Sequence, residues 1–331
     1  MTWPAGSVRR LALFLGFVWG AGGAARLLSV SATPPVVRVV VAADGTGDFR
    51  TVQQAIDHAP PEGRGRLIVL IRPGTYRERV RIPESRARVS LVGLGKHAGD
   101  TVITYNMSAA RAGGTFFSST VDAQGAGFEA SDLTIENSYG PGSQAVALGL
   151  ESDRAVLRNC RLIGWQDTLY AESGRQYYDR CFIQGAVDFI FGDARAVFDR
   201  CTIETVGRGY VTAEGRTTPD GPGGYVFYRA KLTAAPGVNH VYLGRPWRPY
   251  ARVIFLDSWL GAQILPEGWD NWHGTDYDKT AWFAEYHSSG PGASLAKRVP
   301  WAKKLTEAEA AAFMPRRFLA GSDGWNPSAR R

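Results

Sequence analysis

Three observations predict an all-β fold, a single-stranded right-handed parallel β-helix with an N-terminal capping helix and a short C-terminal helix. First, four short β-type triplets superpose: Leu133-Thr134-Ile135, Cys160-Arg161-Leu162, Cys181-Phe182-Ile183 and Cys201-Thr202-Ile203. Arg158-Asn159, Asp179-Arg180 and Asp199-Arg200 fill the two places before the cysteines, so the chain repeats itself every 20 to 27 residues, the mark of a solenoid. Second, glycine accounts for 39 of 331 residues without a Gly-X-Y period, which excludes collagen and suits a turn-rich β protein. Third, Gly, polar residues and short apolar runs separate the triplets, and no long segment with a 3.6-residue period interrupts them.

The elements follow in chain order. Arg9 and Arg10 precede an apolar run from Leu11 to Trp19, and Val30-Ser31-Ala32 forms a small-x-small cleavage site. This is the layout of a secretory signal peptide, with a run too short to span a bilayer. Residues 1–32 are therefore expected to be the signal and 33–331 one catalytic β-helix domain, secreted or periplasmic, with no stable membrane insertion after cleavage. Thr51 opens a helix with Gln54 three places on, a capping box, and Pro60-Pro61 stops it. That helix, Thr51 to Ala59, is expected to cover the open end of the sheets, which would otherwise template strand pairing. Thr306 with Glu309 marks a second capping box near the C-terminus. No shift in composition divides residues 36 to 325. Stacked coils would bring Cys160, Cys181 and Cys201 together as a buried thiol ladder, or as a ladder with a disulfide between adjacent rungs. Their spacings, 21 and 20, do not suit a zinc site.

Charge narrows function only slightly. The chain carries 38 Lys and Arg against 31 Asp and Glu, a net +7. Removing Arg9, Arg10 and Arg26 with the leader lowers this excess to +4. The basic residues form no run and no aromatic-interleaved stripe, which argues against nucleic acid as the ligand. The five histidines, at 58, 97, 240, 273 and 287, lack metal-ligand spacing, and no Gly-x-Ser-x-Gly elbow is present. Gly93-Leu-Gly-Lys-His-Ala-Gly99 has its third glycine one place too late for a dinucleotide loop and reads as a turn. No cofactor and no metal are expected. Ten Trp and 13 Tyr suit a packed core or a sugar-binding cleft.

The chemistry lies across coils. Gln166 and Asp167 follow Gln144 by 22 and 23 residues, Asp188 follows Asp167 by 21, and Arg208 comes 20 later. One coil takes about that length, so these side chains are expected at equivalent places on consecutive rungs. Two carboxylates that close cannot both ionise cheaply, and the resulting split suits an acid/base and a nucleophile. Glutamine amides beside them could stabilise an oxyanion. A lone surface Asp or Gln on a solenoid is more often a solvated turn residue, and only the shared spacing favours chemistry.

At these residues the chain resembles the pectin methylesterases. Gln144-Ala-Val-Ala-Leu, Gly164-Trp-Gln-Asp-Thr-Leu-Tyr170, Gly185-Ala-Val-Asp-Phe-Ile-Phe-Gly192 and Leu243-Gly-Arg-Pro-Trp247 look like the family's four signature blocks. Asp44-Gly-Thr-Gly-Asp-Phe49, Gly74-Thr-Tyr76, Thr115-Phe116, Gly268-Trp269, Glu285-Tyr286, Gly290-Pro-Gly292 and Trp301 extend the likeness over residues 36 to 325. The resemblance implies a carboxylic ester hydrolase that releases methanol from methyl-esterified homogalacturonan, acting as a monomer. It implies Asp188 as nucleophile, Asp167 as general acid and then base, and Gln144 and Gln166 as oxyanion amides. Arg245 would pair with the nucleophile and Trp247 would wall the substrate cleft. Val187, Phe189 and Phe191 would line that cleft, with Thr115 and Arg208 as peripheral sugar contacts. The competing readings are a β-helical pectate lyase or polygalacturonase and a non-catalytic polysaccharide-binding solenoid. A lyase needs an acidic calcium cluster and a glycosidase needs acids set around a glycosidic oxygen; two glutamines fit an acyl oxyanion better.

Overall fold

The computed structural model describes residues 36–58 and 65–329. The proposed signal peptide and the expected helix stop at Pro60-Pro61 lie outside the described residues. The described chain winds as a right-handed parallel β-helix, the hand that parallel crossovers take. Each inner coil contributes one strand to each of three sheets and the end coils to fewer, so that the sheets hold 11, eight and seven described strands. Going round the central coil, Ala155–Arg158 lies in the first sheet, Arg161–Ile163 in the second and Leu169–Ala171 in the third. Every strand pairing is parallel, and the register matches the repeat read from the sequence. Thr134, Arg161, Phe182 and Thr202 are direct partners along the second sheet.

Pleating sends alternate side chains inward, so each interior position becomes a column running along the axis. Ile135, Leu162, Ile183, Ile203 and Leu232 form one such column and are all fully buried. Tyr178, Phe198, Phe227 and Phe255 form another, with ring centroids 4.5–4.7 Å apart and planes within 12° of parallel. Cys160, Cys181 and Cys201 are free, buried and stacked on successive rungs. The turn between the first and second sheets repeats as tightly. Asp132, Asn159, Arg180, Arg200, Arg229, Asp257 and His287 all adopt left-handed backbone, with φ between 49° and 58°.

The N-terminal helix α1 (Val52–Asp57) is shorter than the expected span Thr51 to Ala59, with His58 as its C-cap. Thr51 caps it, yet the Gln54 side chain accepts from Arg50 N instead of closing the box on Thr51. The Glu78 carboxylate accepts instead from Val52 N at 2.8 Å and Gln53 N at 2.9 Å, and satisfies two other first-turn donors. Val52, Ala55 and Ile56 face the core of the first coils. The short helix α2 (Ala109–Ala112) and a 3₁₀ turn, Thr115–Ser118, sit in a loop of the third coil. At the other end Thr306 and Glu309 complete a capping box on α3 (Glu307–Ala310). A further helix α4 (Pro315–Phe318), with no signal in the repeat, buries Phe318 beside the first sheet. The tail then crosses that sheet, where Arg175 holds the Asp323 carboxylate at 2.8 and 2.7 Å and stacks on Trp325.

Candidate active site

The tight turn from the second sheet to the third builds the centre of the site. Gln166 and Val187 bridge in parallel register, and Asp167 N donates to Val187 O at 3.1 Å. Asp167 and Asp188 thereby occupy matched places on adjacent rungs, a backbone separation of about 4.8 Å. Both adopt left-handed backbone, φ 64° and 48°, which Asp tolerates better than bulkier residues and which often marks a functional turn. Both are nearly buried, at 8% and 6% exposure.

Arg245 comes from the third-sheet strand Val241–Pro246. Its approach needs Gly244, where a Cβ would lie 1.9 Å from Thr212 Oγ1. The guanidinium donates from Nε to Asp188 Oδ1 at 3.0 Å and from Nη2 to Oδ2 at 2.6 Å. This bidentate pair fixes the carboxylate's orientation. The guanidinium carbon lies over two rings, 3.9 Å from the Tyr210 centroid and 4.2 Å from that of Trp272. Tyr210 OH donates to Asp270 at 2.8 Å, and Nη1 reaches His273 Nε2 at 2.9 Å. Since a guanidinium can only donate, that histidine nitrogen is the acceptor. Trp269, fully buried against Phe255 and Phe283, anchors the loop that carries Asp270, Trp272 and His273.

The two carboxylates differ electrostatically. Burial first, and then the neighbouring Asp188 charge, push Asp167 well above the ordinary carboxylate range, against a weaker pull from Arg245. Asp188 is also raised by burial, but the Arg245 hydrogen bond and charge oppose the rise directly. Burial works against the Arg245 cation too, and its bonds to Asp188 more than offset this. Asp188 therefore ionises before Asp167, and at intermediate pH one carboxylate and one carboxylic acid stand side by side.

A cleft of about 390 Å³ opens over this pair, lined by Gln144, Gln166, Thr115, Phe191, Trp247 and His273 among others. The amides of Gln144 and Gln166 hydrogen-bond to no described side chain, leaving their donors for a ligand. Phe191 stacks on Tyr170 at 4.8 Å and meets the Trp247 ring edge-on at 5.9 Å. Trp247 rests over Gly215, where a Cβ would approach its ring to 3.0 Å. Phe116, 49% exposed, extends the aromatic wall against Tyr170.

Several expected residues sit elsewhere. Phe189 is fully buried in the interior against Gly185; it follows the Asp188 turn, and the pleat sends it inward, away from the cleft. Val187 is half-buried beside Gly209 and does not line the cleft. The equivalence across rungs also stops before Arg208. Strand pairing of Ile190 with Thr212 puts Tyr210 on the rung beside Asp188, and Arg208 is exposed two places earlier. Conversely, Tyr210, Trp272 and His273 at the centre of the site had no sequence signal beyond aromatic density near Trp269.

Residues 38–322 match the Pectinesterase family model. The chain is 38% identical over 299 residues to Pectinesterase 31 of Arabidopsis thaliana, covering 87% of this chain and 93% of that protein. Six other plant relatives are longer, and the chain spans between 52% and 59% of their length. Among solved structures, pectin methylesterase from carrot superposes with a TM-score of 0.82 at 37% identity, covering 86% of this chain and 93% of that one. A pectin methylesterase in complex with a hexasaccharide superposes with a TM-score of 0.77 at 29% identity, covering 88% and 98%.

Proposed function

The chain belongs to the pectinesterase family and is a carboxylic ester hydrolase that removes methyl esters from pectin, and from this premise we propose that Asp188 is its nucleophile and Asp167 its acid/base. The observation that carries the assignment is the bidentate Arg245–Asp188 pair one rung from a buried Asp167. An Asp188 oxygen attacks the ester carbonyl of a methyl galacturonate, forming a carbon–oxygen bond and a tetrahedral oxyanion. Gln144 and Gln166 donate to that oxyanion from preorganised positions, an effect worth about 10²–10³ in rate per donor. As the intermediate collapses, the bond to methoxide breaks and Asp167 delivers its proton to the departing methanol. The substrate is left as an acyl anhydride on Asp188. Water then attacks the anhydride, Asp167 takes the water proton, and Asp188 leaves as a carboxylate. Arg245 serves throughout by holding the nucleophile ionised and aimed. Trp247 and Phe191 offer apolar faces to the sugar ring, and Thr115 a hydroxyl at the rim.

Replacing Asp188 by Asn removes the nucleophile at nearly constant shape. Methanol release from methylated pectin should fall by at least about 10³-fold while polymer binding persists. An active Asp188→Asn enzyme would remove the assignment.

We also assign residues 1–32 as an export signal and the enzyme to the secreted or periplasmic space as a monomer, in keeping with Arg9, Arg10 and the short apolar run. No described helix is long and apolar enough to cross a membrane. N-terminal sequencing of exported protein should begin at Thr33, and an intact Met1 would refute this assignment.

A further inference from the structure

The outer face of the second sheet carries a feature that the catalytic cleft does not use. One outward column runs Val102, Thr134, Arg161, Phe182, Thr202, Lys231 and Trp259 through direct strand partners. It contains two cations, two aromatic rings and no acid. Each cation lies over the next ring: the Arg161 guanidinium is 4.5 Å from the Phe182 centroid, and the Lys231 ammonium 5.4 Å from Trp259. Neither forms an ion pair with a described residue, and the same holds for Lys96 at the upper end of the column. By contrast, Arg180 and Arg200 on the neighbouring turn are paired to Asp179.

Between Lys96 and Phe182 this face is hollowed into a groove of about 600 Å³, which shares no lining residue with the catalytic cleft. The one carboxylate lining it, Glu136, is engaged by Thr104 Oγ1 at 2.8 Å. Trp259 is 38% exposed. At about 4.8 Å per rung, Arg161 and Lys231 stand roughly 14 Å apart along the axis. A cation seated on a ring keeps its N–H edge free for an anion. An aromatic ring offers a platform for the apolar face of a sugar.

We propose that this face is a second polysaccharide site that takes de-esterified stretches of galacturonan, with Arg161 and Lys231 pairing carboxylates and Phe182 and Trp259 carrying sugar rings. The inference rests on the esterase reading, because the ligand is the reaction's own product: each turnover adds one carboxylate to the polymer. The site tethers the enzyme to the chain it has already processed while the cleft works on methylated units elsewhere.

The test is the double variant Arg161→Gln/Lys231→Gln. On a short methyl-esterified oligogalacturonide, which fills the cleft alone, kcat/KM should be unchanged; that arm reports on the esterase reading. Affinity for fully de-esterified polygalacturonate should fall about ten-fold at low salt, the loss expected for two anion contacts, with a matching rise in KM on long, partly esterified pectin. Wild-type affinity for polygalacturonate in the variant would overturn the proposal. So would equal losses on the short and long substrates, or displacement of polygalacturonate from the wild type by a nucleic acid at the same charge concentration.

Discussion

At the scale of single residues, the candidate site sets two chemically identical side chains in unequal surroundings. Asp167 and Asp188 share backbone geometry and burial, and only Asp188 receives the Arg245 fork. Their types and spacing were legible in the sequence, because the coil length carries Asp167 onto Asp188. The same arithmetic failed for Arg208: the preceding coil spans 21 residues and the next one 22, so Tyr210 takes the place, not Arg208 at 20. Trp272 and His273 could not be read at all: a loop from a later coil brings them over Arg245, and no periodicity reaches across it. Asp167→Asn should slow both chemical steps, since the proposed mechanism uses this one group as acid and then as base. Rate measurements should show kcat reduced by about 10²–10⁴-fold with KM little changed. A Trp247→Ala enzyme, by contrast, should raise KM on pectin more than it lowers kcat.

At the scale of elements, the solenoid was readable because its interior columns repeat by residue type. The cysteine triplets announced the second sheet, and their register is the one observed. Helix limits were less legible. Glu78, 26 residues from Val52, caps the next two donors of α1, Val52 N and Gln53 N, and a contact of that range leaves no local trace. The helix α4 and the tail across the first sheet answer to the sheet's outer apolar face, Val156, Tyr177 and Val197, a surface that exists only after the coils stack. The aromatic column makes a quantitative prediction. Phe227 packs at 4.6 Å and 4.5 Å between Phe198 and Phe255 with no exposure. Phe227→Ala should therefore cost about 3–5 kcal/mol in denaturant unfolding. A cost below about 1 kcal/mol would mean the column does not carry core stability.

At the scale of the whole molecule, buried acids tie stability to pH. Glu214 is fully buried and burial pushes it to about 8, despite hydrogen bonds from Arg252 N and Arg216 N. Asp167 is shifted in the same direction. A carboxyl whose folded pKa is raised favours the fold below its unfolded value, and that stability is lost as pH rises through the folded value. Thermal stability should thus decline from mildly acidic pH toward pH about 8, by on the order of a few kcal/mol for Glu214 alone. Glu214→Gln should flatten that slope in melting curves, and an unchanged slope would mean Glu214 is not the linked group. Activity should fall on both sides of an intermediate pH, because the proposed first step needs Asp188 ionised and Asp167 protonated. The modest positive charge of the chain, +7 over the full sequence, suits a polymer that grows more anionic with each turnover.

The most direct measurement of the central claim is to capture the covalent intermediate. Asp167→Asn enzyme mixed with methylated pectin and quenched with hydroxylamine should yield a hydroxamate at Asp188 in the digested protein, and only when substrate was present. A hydroxamate at another carboxylate of the protein, or methanol release that leaves a hydroxamate on neither Asp188 nor the galacturonate, would contradict the nucleophile assignment.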